Sequence, residues 1–411
     1  MNKMKRVISW VLICAMIFSF ASISYAVDSE TVTPQDSESS TESIPSIKEA
    51  RVYAEASARD HISTFLILSS VGYAPSLNSE AGRFYLGNGY YTYTFDDEKL
   101  VRNEVISFPI IQSGKIVLQL NVSEADETWG GTGTTQFVDE LNENIGINDT
   151  PIIVYYEKNG YLVKGKELIC FNSAVGKEDQ LQYETIESAL LEILESSTDA
   201  LNLESSLTEL GYVENPVSNE PASTQSVAGF AMNTSTCKLL EIADCTVDQD
   251  CYVAGDAEYY QLCWAATAVT IARYRSGGYR TLRPSEVADY LNKGYFLGGD
   301  QTDVYNALEH YLNEQELDSY EALSRPASSF LEIQHNINNC FPIAMGCTQY
   351  LLGFIPMGGH MVTIIGYDGQ QLIYWNSLTC KIETTSYKDG KTYIRTDGLK
   401  YKWDVSVLIS L

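Results

Sequence analysis

The sequence predicts an α+β protein whose helices and antiparallel strands occupy separate stretches of the chain. Some segments carry apolar residues at the spacing of one helix face, whereas others alternate apolar and polar residues as half-buried strands do. Glycine-containing turn sequences separate the alternating segments. The order is helix, strands and helix in the front half, then helices followed by strands in the back half, which is typical of α+β folds.

Residues 1–26 predict a secretory signal peptide. A positive start between Lys3 and Arg6 precedes a nearly unbroken apolar run, Val7–Ile23, and small residues follow at the expected cleavage site. Polar and acidic sequence comes next, without the pattern of a membrane anchor. Residues 27–46 are rich in Ser, Thr, Glu and Pro and predict a disordered leader.

The composition excludes some classes of function. The chain has 411 residues and a net charge of −27. A chain this acidic, with no local basic patch, is not expected to bind nucleic acid or an anionic membrane. No segment after the signal reaches the ~18 apolar residues of a spanning helix. We therefore expect a protein that is secreted or held at the cell surface, with no membrane span after signal cleavage. We also expect a monomer.

The front domain is predicted at residues 47–212, because the length after the signal fits two domains. A helix is expected from Ile47 and another at Tyr183–Leu201, with strands between them at Tyr90–Phe95, Glu104–Ile111, Lys115–Val122, Pro151–Tyr156 and Gly160–Val163. Residues 213–236 contain Pro216, Pro221 and many small polar residues, which predict an exposed linker that proteases cut easily.

The back domain, residues 237–411, is predicted to begin with helices and to end in an antiparallel sheet. Helices are expected at Cys263–Arg275, Ser285–Asn292, Asp303–Leu312 and Ser329–Asn339, and strands at Pro342–Cys347, His360–Tyr367, Gln371–Trp375, Thr392–Thr396 and Val405–Leu411. Asp368-Gly369 predicts a hairpin turn between the second and third of these strands.

Cys263, His360 and Asn376 are the candidate catalytic residues. Cys263 opens a predicted helix, where the helix dipole stabilises a thiolate. His360 follows two glycines and is expected to open a strand with its ring facing a cleft. Asn376 ends the next strand of the hairpin, so antiparallel pairing places it beside His360, where it can accept a hydrogen bond from one ring nitrogen. The other nitrogen would then act as the base for Cys263.

These residues carry a resemblance to a known family. Cys263-Trp264-Ala265, Gly359-His360 and Trp375-Asn376-Ser377 resemble, in this order, the three active-site blocks of papain-like cysteine peptidases. The compact spacing is most similar to the bacterial secreted branch, the staphopain-type and bacteriocin-leader-peptidase-like enzymes. The resemblance covers roughly residues 250–411. It implies a two-lobe catalytic domain, a helical lobe followed by an antiparallel β lobe, with no metal or other cofactor.

One position departs from the family pattern. The family usually supplies an oxyanion-hole glutamine about six residues before the nucleophile, and that position here is Ala257. Gln261, two residues before Cys263, is the candidate for the oxyanion hole. An ordinary exposed loop residue is the alternative interpretation of Gln261.

The front half also carries a resemblance, to a class of propeptide. Its leading helix and the strands containing Phe108-Pro109-Ile110 and Gly114-Lys115-Ile116-Val117 are similar to propeptides of streptopain-like and staphopain-like enzymes. The resemblance implies that the front half acts as an intramolecular inhibitor that occludes the cleft until secretion is complete. An independent β-rich binding domain is the alternative.

We therefore expect a secreted cysteine endopeptidase, made as a zymogen, that hydrolyses protein or peptide substrates through a Cys-His-Asn thiolate mechanism. Trp264 and Trp375 are expected to bind substrate and shield the site from water. The apolar segment from Tyr350 to Ile355 is either a substrate contact or core.

Two other functions stay open. Gln261-Leu262-Cys263-Trp264 has some likeness to the nucleophile block of transglutaminases, which transfer acyl groups to other acceptors. A non-catalytic surface binding protein on a peptidase-like fold is the second alternative. The number of cysteines, nine, does not favour any of these functions. Whether that number is even or odd does not show which cysteines form disulfides and which are reduced thiols in the core.

Overall fold

Seven helices and eighteen strands form the part of the chain that the structure describes. The structure is a computed structural model. It describes residues 46–410 apart from 75–76, 78–81, 97, 126, 147–148, 157–158, 171–180, 197–206, 215–228, 250–260, 277–280, 296–297, 314–319 and 352–354. The signal peptide, the predicted leader up to residue 45 and Ala257 lie outside the described residues.

The helices follow the predicted segments closely where the sequence carries both an apolar face and a capping signal. They are α1 Ile47–Ser70, α2 Val138–Asn144, α3 Tyr183–Ser196, α4 Cys263–Ser276, α5 Pro284–Tyr290, α6 Gln301–Asn313 and α7 Phe330–Asn338. The first begins at a capping box, in which the Ser46 hydroxyl accepts from the Glu49 N–H and the Glu49 carboxylate accepts from the Ser46 N–H. Ser329 and Glu332 form the same box at the start of α7.

The strands are β1 Gly82–Leu86, β2 Tyr90–Asp96, β3 Lys99–Gln112, β4 Lys115–Ala125, β5 Thr128–Thr134, β6 Ile153–Tyr156, β7 Asn159–Lys164, β8 Glu167–Cys170, β9 Thr208–Val213, β10 Phe230–Asn233, β11 Cys237–Leu240, β12 Glu321–Pro326, β13 Ile343–Leu351, β14 Ile355–Asp368, β15 Gln371–Asn376, β16 Lys381–Ser386, β17 Tyr393–Thr396 and β18 Leu399–Ser410. The predicted Asp368-Gly369 turn joins β14 to β15, with Gly369 at a φ of 54°.

One ladder of paired strands runs through both halves of the chain. The antiparallel neighbours follow the order β9, β1, β3, β4, β5, β16, β15, β14, β13, β18 and β12. β2 joins β3, β17 joins β18, and β11 joins β14 and β10. β2 also pairs in parallel with β6, which continues antiparallel into β7 and β8. The protein is therefore a mixed α/β structure with one large, mainly antiparallel sheet.

The front and back halves meet where β5 pairs with β16. Gly133 lies opposite Thr384, and helix α1 crosses above this pair with His61 fully buried. A Cβ atom at Gly133 would lie 2.8 Å from the Thr384 hydroxyl and 3.0 Å from His61 Nδ1. Glycine therefore allows the helix and the two strands to approach this closely.

Helices α4, α5 and α6 share an apolar cluster with the C-terminal strands. Trp264 and Val269 of α4 and Leu308 of α6 are fully buried in this cluster, and Met361 of β14 lies in it as well. The apolar face of α4 therefore rests on the sheet at β14. This contact positions the start of α4 near the strand that carries His360.

Two predicted boundaries differ from the structure. Phe230–Asn233, placed in the linker by the sequence, forms β10, and both Phe230 and Met232 are buried. The alternating pattern of these four residues was too short to be recognised beside the polar linker. Tyr350 belongs to β13 and pairs with Pro356 of β14, so this strand continues beyond Cys347, where the predicted strand ended.

The residues from Ile44 onward form one compact unit. Within the described part of the chain, no helix is both long and apolar enough to cross a membrane.

Candidate active site

Cys263 is the first residue of α4 and is half-buried. The Ala266 N–H donates to the Leu262 carbonyl at 2.8 Å, which is the first hydrogen bond of the helix. Cys263 therefore lies in the first turn, where unpaired N–H groups and the positive end of the helix dipole favour negative charge. The stabilisation of a Cys263 thiolate by this helix start stays a prediction.

His360 lies inside β14 rather than at its start. The strand begins at Ile355, and His360 pairs with Cys347 of β13. The expectation that His360 opens the strand was wrong, because Gly358 and Gly359 continue the ladder opposite Gln349 and Thr348 instead of interrupting it. The imidazole is buried, with 6% of the residue exposed.

Asn376 ends β15 and contacts His360 directly. His360 Nε2 lies 2.8 Å from the side-chain oxygen of Asn376. The backbone N–H of Leu378 donates to the same oxygen at 3.1 Å. The β14–β15 hairpin therefore brings together the two residues that the sequence had placed side by side, and Asn376 is fully buried there.

Glu383 of β16 lies directly behind Asn376. The Asn376 side-chain N–H donates to Glu383 Oε2 at 3.1 Å, and the Tyr374 hydroxyl donates to the same oxygen at 3.0 Å. The Thr134 and Thr379 hydroxyls donate to Glu383 Oε1 at 3.1 and 2.9 Å. Glu383 is only 1% exposed, so these four groups replace the water that would otherwise solvate the carboxylate.

This arrangement determines which ring nitrogen of His360 carries the proton. The Leu378 N–H can only donate, so the Asn376 atom that faces both it and His360 is the oxygen, and the amide nitrogen faces Glu383. Since that oxygen only accepts, His360 Nε2 must carry the hydrogen. The neutral imidazole then has its lone pair on Nδ1, the nitrogen that acts as a base.

Burial shifts the pKa of both ionisable groups in this chain of contacts. It lowers the pKa of His360 from 6.5 to about 4, and the hydrogen bond to Asn376 partly opposes this effect. Burial raises the pKa of Glu383 from 4.5 to about 7, against the effect of its hydrogen bonds from Asn376 and three hydroxyls. His360 is therefore neutral at pH 7, the form that can accept a proton from a thiol.

Cys347 and Tyr401 lie close to His360, and Cys263 affects the pKa of both. Cys347 lies opposite His360 in the β13–β14 ladder, and the ring of Tyr401 lies 6.0 Å from the ring of His360. Burial is the main cause that raises the pKa of Cys347 and of Tyr401, and the charge of Cys263 adds to both shifts.

The other predicted site residues lie in different surroundings. Gln261 is exposed, its N–H donates to the Tyr295 carbonyl at 2.8 Å, and its side-chain oxygen faces Gly298. Its role in the oxyanion hole stays a prediction.

Trp264 is fully buried in the apolar cluster under Gly299, so the expectation that it binds substrate was wrong. The Trp264 side chain packs into the core because it lies on the inner side of α4, one residue after Cys263.

Trp375 is half-buried and lies on the face of β15 opposite to Asn376, since successive strand residues point to opposite faces. Its indole N–H donates to the Val247 carbonyl at 3.1 Å, and its ring packs against the apolar cluster beneath α1. A contact between Trp375 and substrate stays a prediction.

Sequence reasoning missed Glu383, Tyr401 and Thr134. Glu383 has a local signal, because it is an acidic residue in an alternating segment just after Asn376, on the strand that completes the hairpin. Thr134 has none, since 249 positions separate it from Glu383. No group of three metal-ligating side chains is found within the described ranges.

No protein-family model matches the chain, and no curated protein matches it. Among solved structures, the crystal structure of a protein from Bacillus anthracis, described as a C39-like peptidase, aligns with 42% of this chain and 98% of that chain. The sequence identity is 10% and the TM-score is 0.28. A likeness of this size carries no conclusion about the fold or the activity of the present chain.

Proposed function

We propose that the chain is a cysteine peptidase in which Cys263 is the nucleophile, His360 the base and Asn376 the residue that orients the imidazole. The observation that carries the proposal is the 2.8 Å hydrogen bond between His360 Nε2 and the Asn376 oxygen. It leaves Nδ1 as the basic nitrogen, on a strand that packs against the helix headed by Cys263. A nucleophile, a base and an orienting group are the parts that thiolate catalysis requires.

The reaction follows from these roles. Cys263 gives its proton to His360 Nδ1, and its sulfur attacks the carbonyl carbon of a peptide bond. The tetrahedral intermediate collapses when the imidazolium donates that proton to the leaving amine, which yields a thioester on Cys263. A water molecule then attacks the thioester while His360 accepts its proton, and the proton returns to the sulfur as the new carboxyl group leaves.

The proposal keeps several expectations from the sequence. The enzyme is secreted after removal of residues 1–26, and its substrates are proteins or peptides. A cut between the two halves falls within residues 213–236, the linker that the sequence predicts. Gln261 contributes to the oxyanion hole once a substrate is bound, since it lies two residues before Cys263, the first residue of α4.

Selective alkylation of Cys263 tests the proposal. Cys263 is half-buried, whereas Cys380 is exposed, so simple accessibility predicts faster labelling of Cys380. At pH 6 an ordinary thiol, with a pKa of about 8.5, is almost entirely protonated. We expect iodoacetamide at pH 6 to label Cys263 at least about tenfold faster than Cys380, because thiolate character controls the rate.

The matched variants are Cys263→Ala, Cys380→Ala and His360→Ala. Peptide hydrolysis should be lost in Cys263→Ala and unchanged in Cys380→Ala. The labelling advantage of Cys263 should disappear in His360→Ala, because the base that removes the thiol proton is gone. Labelling in proportion to exposure, with Cys380 ahead, would contradict the proposal.

A further inference from the structure

The carboxylate of Glu383 is saturated with donors. An ionised carboxylate offers about four lone-pair positions, and Glu383 fills them with the Asn376 amide and the hydroxyls of Tyr374, Thr134 and Thr379. Hydroxyl groups can rotate to become acceptors, but the amide nitrogen of Asn376 can only donate. The contact therefore requires Glu383 to accept at this position.

The consequence for Asn376 is a single orientation of its amide. A flipped amide would place its oxygen against Glu383 Oε2 and its nitrogen against both His360 Nε2 and the Leu378 N–H. The Glu383 contact would then become acceptor against acceptor and the Leu378 contact donor against donor, whereas His360 would adapt by carrying its hydrogen on Nδ1. Glu383 and the Leu378 N–H together select the orientation in which Asn376 accepts from His360, and with it the tautomer whose Nδ1 is free.

One of the four donors comes from the front half of the chain. Thr134 is the last residue of β5 and is 2% exposed. β5 is held beside Glu383 by its pairing with Thr384 and Thr385 of β16. Thr134 therefore approaches Glu383 from the side opposite to His360, and the front half provides part of the wall behind Asn376.

We infer that Glu383 is a positioning residue that sets the tautomer of His360 through Asn376, and that Thr134 makes the front half a part of this positioning device. The catalytic meaning of the inference rests on the proposed function, whereas its structural statement, one tautomer selected by Glu383, does not. On this inference the front half supports the site from behind in addition to any inhibitory role.

The direct test is the tautomer of His360. The chain has four histidines, so spectra of protein labelled with ¹⁵N-histidine are simple to assign. The two neutral tautomers give different ¹⁵N shifts at Nδ1 and Nε2. We expect wild-type protein at pH 8 to show His360 in the Nε2–H form alone, and Glu383→Gln to show a mixture, because a glutamine side chain can face Asn376 with its own donor.

Kinetics supply the second readout. Glu383→Gln should lower kcat roughly tenfold with little change in KM, the size expected for losing a hydrogen bond to a charged group that acts on the base. Thr134→Val should produce a smaller change in the same direction, and Thr134→Ser should restore wild-type values because it keeps the hydroxyl. The matched control is Thr363→Val on β14, whose buried hydroxyl has no hydrogen-bond partner among the described residues and should not matter.

Each outcome of these measurements either supports or overturns the inference. A single Nε2–H tautomer in Glu383→Gln with wild-type kcat overturns the inference. A tautomer mixture supports it even if the protein hydrolyses no peptide, so failure of the proposed function is distinguishable from failure of the inference. If Glu383→Gln does not fold, the Thr134→Val and Thr134→Ser pair carries the test, and identical behaviour of Thr134→Val and Thr363→Val would overturn the part assigned to Thr134.

Discussion

Replacing His61 by glutamine should remove an acid-sensitive contribution to the stability of the interface between the two halves. His61 of α1 is fully buried, and its Nδ1 lies 2.8 Å from the Thr384 hydroxyl of β16. Burial, together with a smaller contribution from the nearby charge of Arg395, lowers the pKa of His61 from 6.5 to about 3. Glutamine keeps a neutral polar group at this position but does not titrate.

The sign follows from proton binding in the two states. Between pH 3 and pH 6.5 the unfolded chain holds more protons on His61 than the folded protein does, so stability falls as the pH falls through this range. At pH 5 the unfolded imidazole, with a pKa near 6.5, is protonated and the folded one is not. The linkage relation then gives a loss of about 2 kcal/mol between pH 8 and pH 5.

Urea unfolding at pH 8 and pH 5 measures this effect. Other groups also titrate: His360 acts in the same direction, whereas the raised pKa values of Glu383 and Asp397, about 7 and 6, act in the opposite direction. The quantity to compare is therefore the unfolding free energy of wild type minus that of His61→Gln. We expect this difference to fall by about 2 kcal/mol from pH 8 to pH 5.

The exposed His335 provides the control, because His335→Gln changes the same residue type on the surface of α7. The pH effect of His61→Gln should exceed that of His335→Gln, because His61 is fully buried and His335 is exposed. If the wild-type minus His61→Gln difference is the same at pH 8 and pH 5, His61 is not held neutral by burial and the reasoning fails.

Two further predictions concern Asn376 and the contact between the halves. Asn376→Asp places a second carboxylate against Glu383, where the amide nitrogen now lies 3.1 Å from Oε2, so one of the two must hold a proton. Contrary to the simple view that a carboxylate can replace this amide, we expect urea unfolding to show Asn376→Asp losing stability from pH 6 to pH 8 relative to Asn376→Ala; equal pH dependence would contradict this. A protein cut within residues 215–228 should keep its halves together in size-exclusion chromatography, because separation would strip Arg395 of its bonds to Ser123 and Asp397 of its bond to Gln136. Elution as two separate fragments would contradict the prediction.

The sequence by itself determined the local structure and three of the candidate site residues. Apolar spacing located α1 and α7, and the hairpin turn at Asp368-Gly369 was sufficient to place Asn376 beside His360. These features depend on residues close together in the chain, and hydrogen-bonding geometry leaves few alternatives at that distance. The helix start at Cys263 was readable for the same reason.

Only the tertiary structure decided which groups support the site. Thr134 and Glu383 are 249 positions apart, and His61 and Thr384 are 323 positions apart, so no periodicity or spacing connects them. The burial of Trp264 was likewise unreadable, because an aromatic residue after a nucleophile fits a cleft and a core equally well until the packing of α4 is known. Long-range pairing of β5 with β16 depends on the total burial of both halves, a property of the whole chain that no local segment encodes.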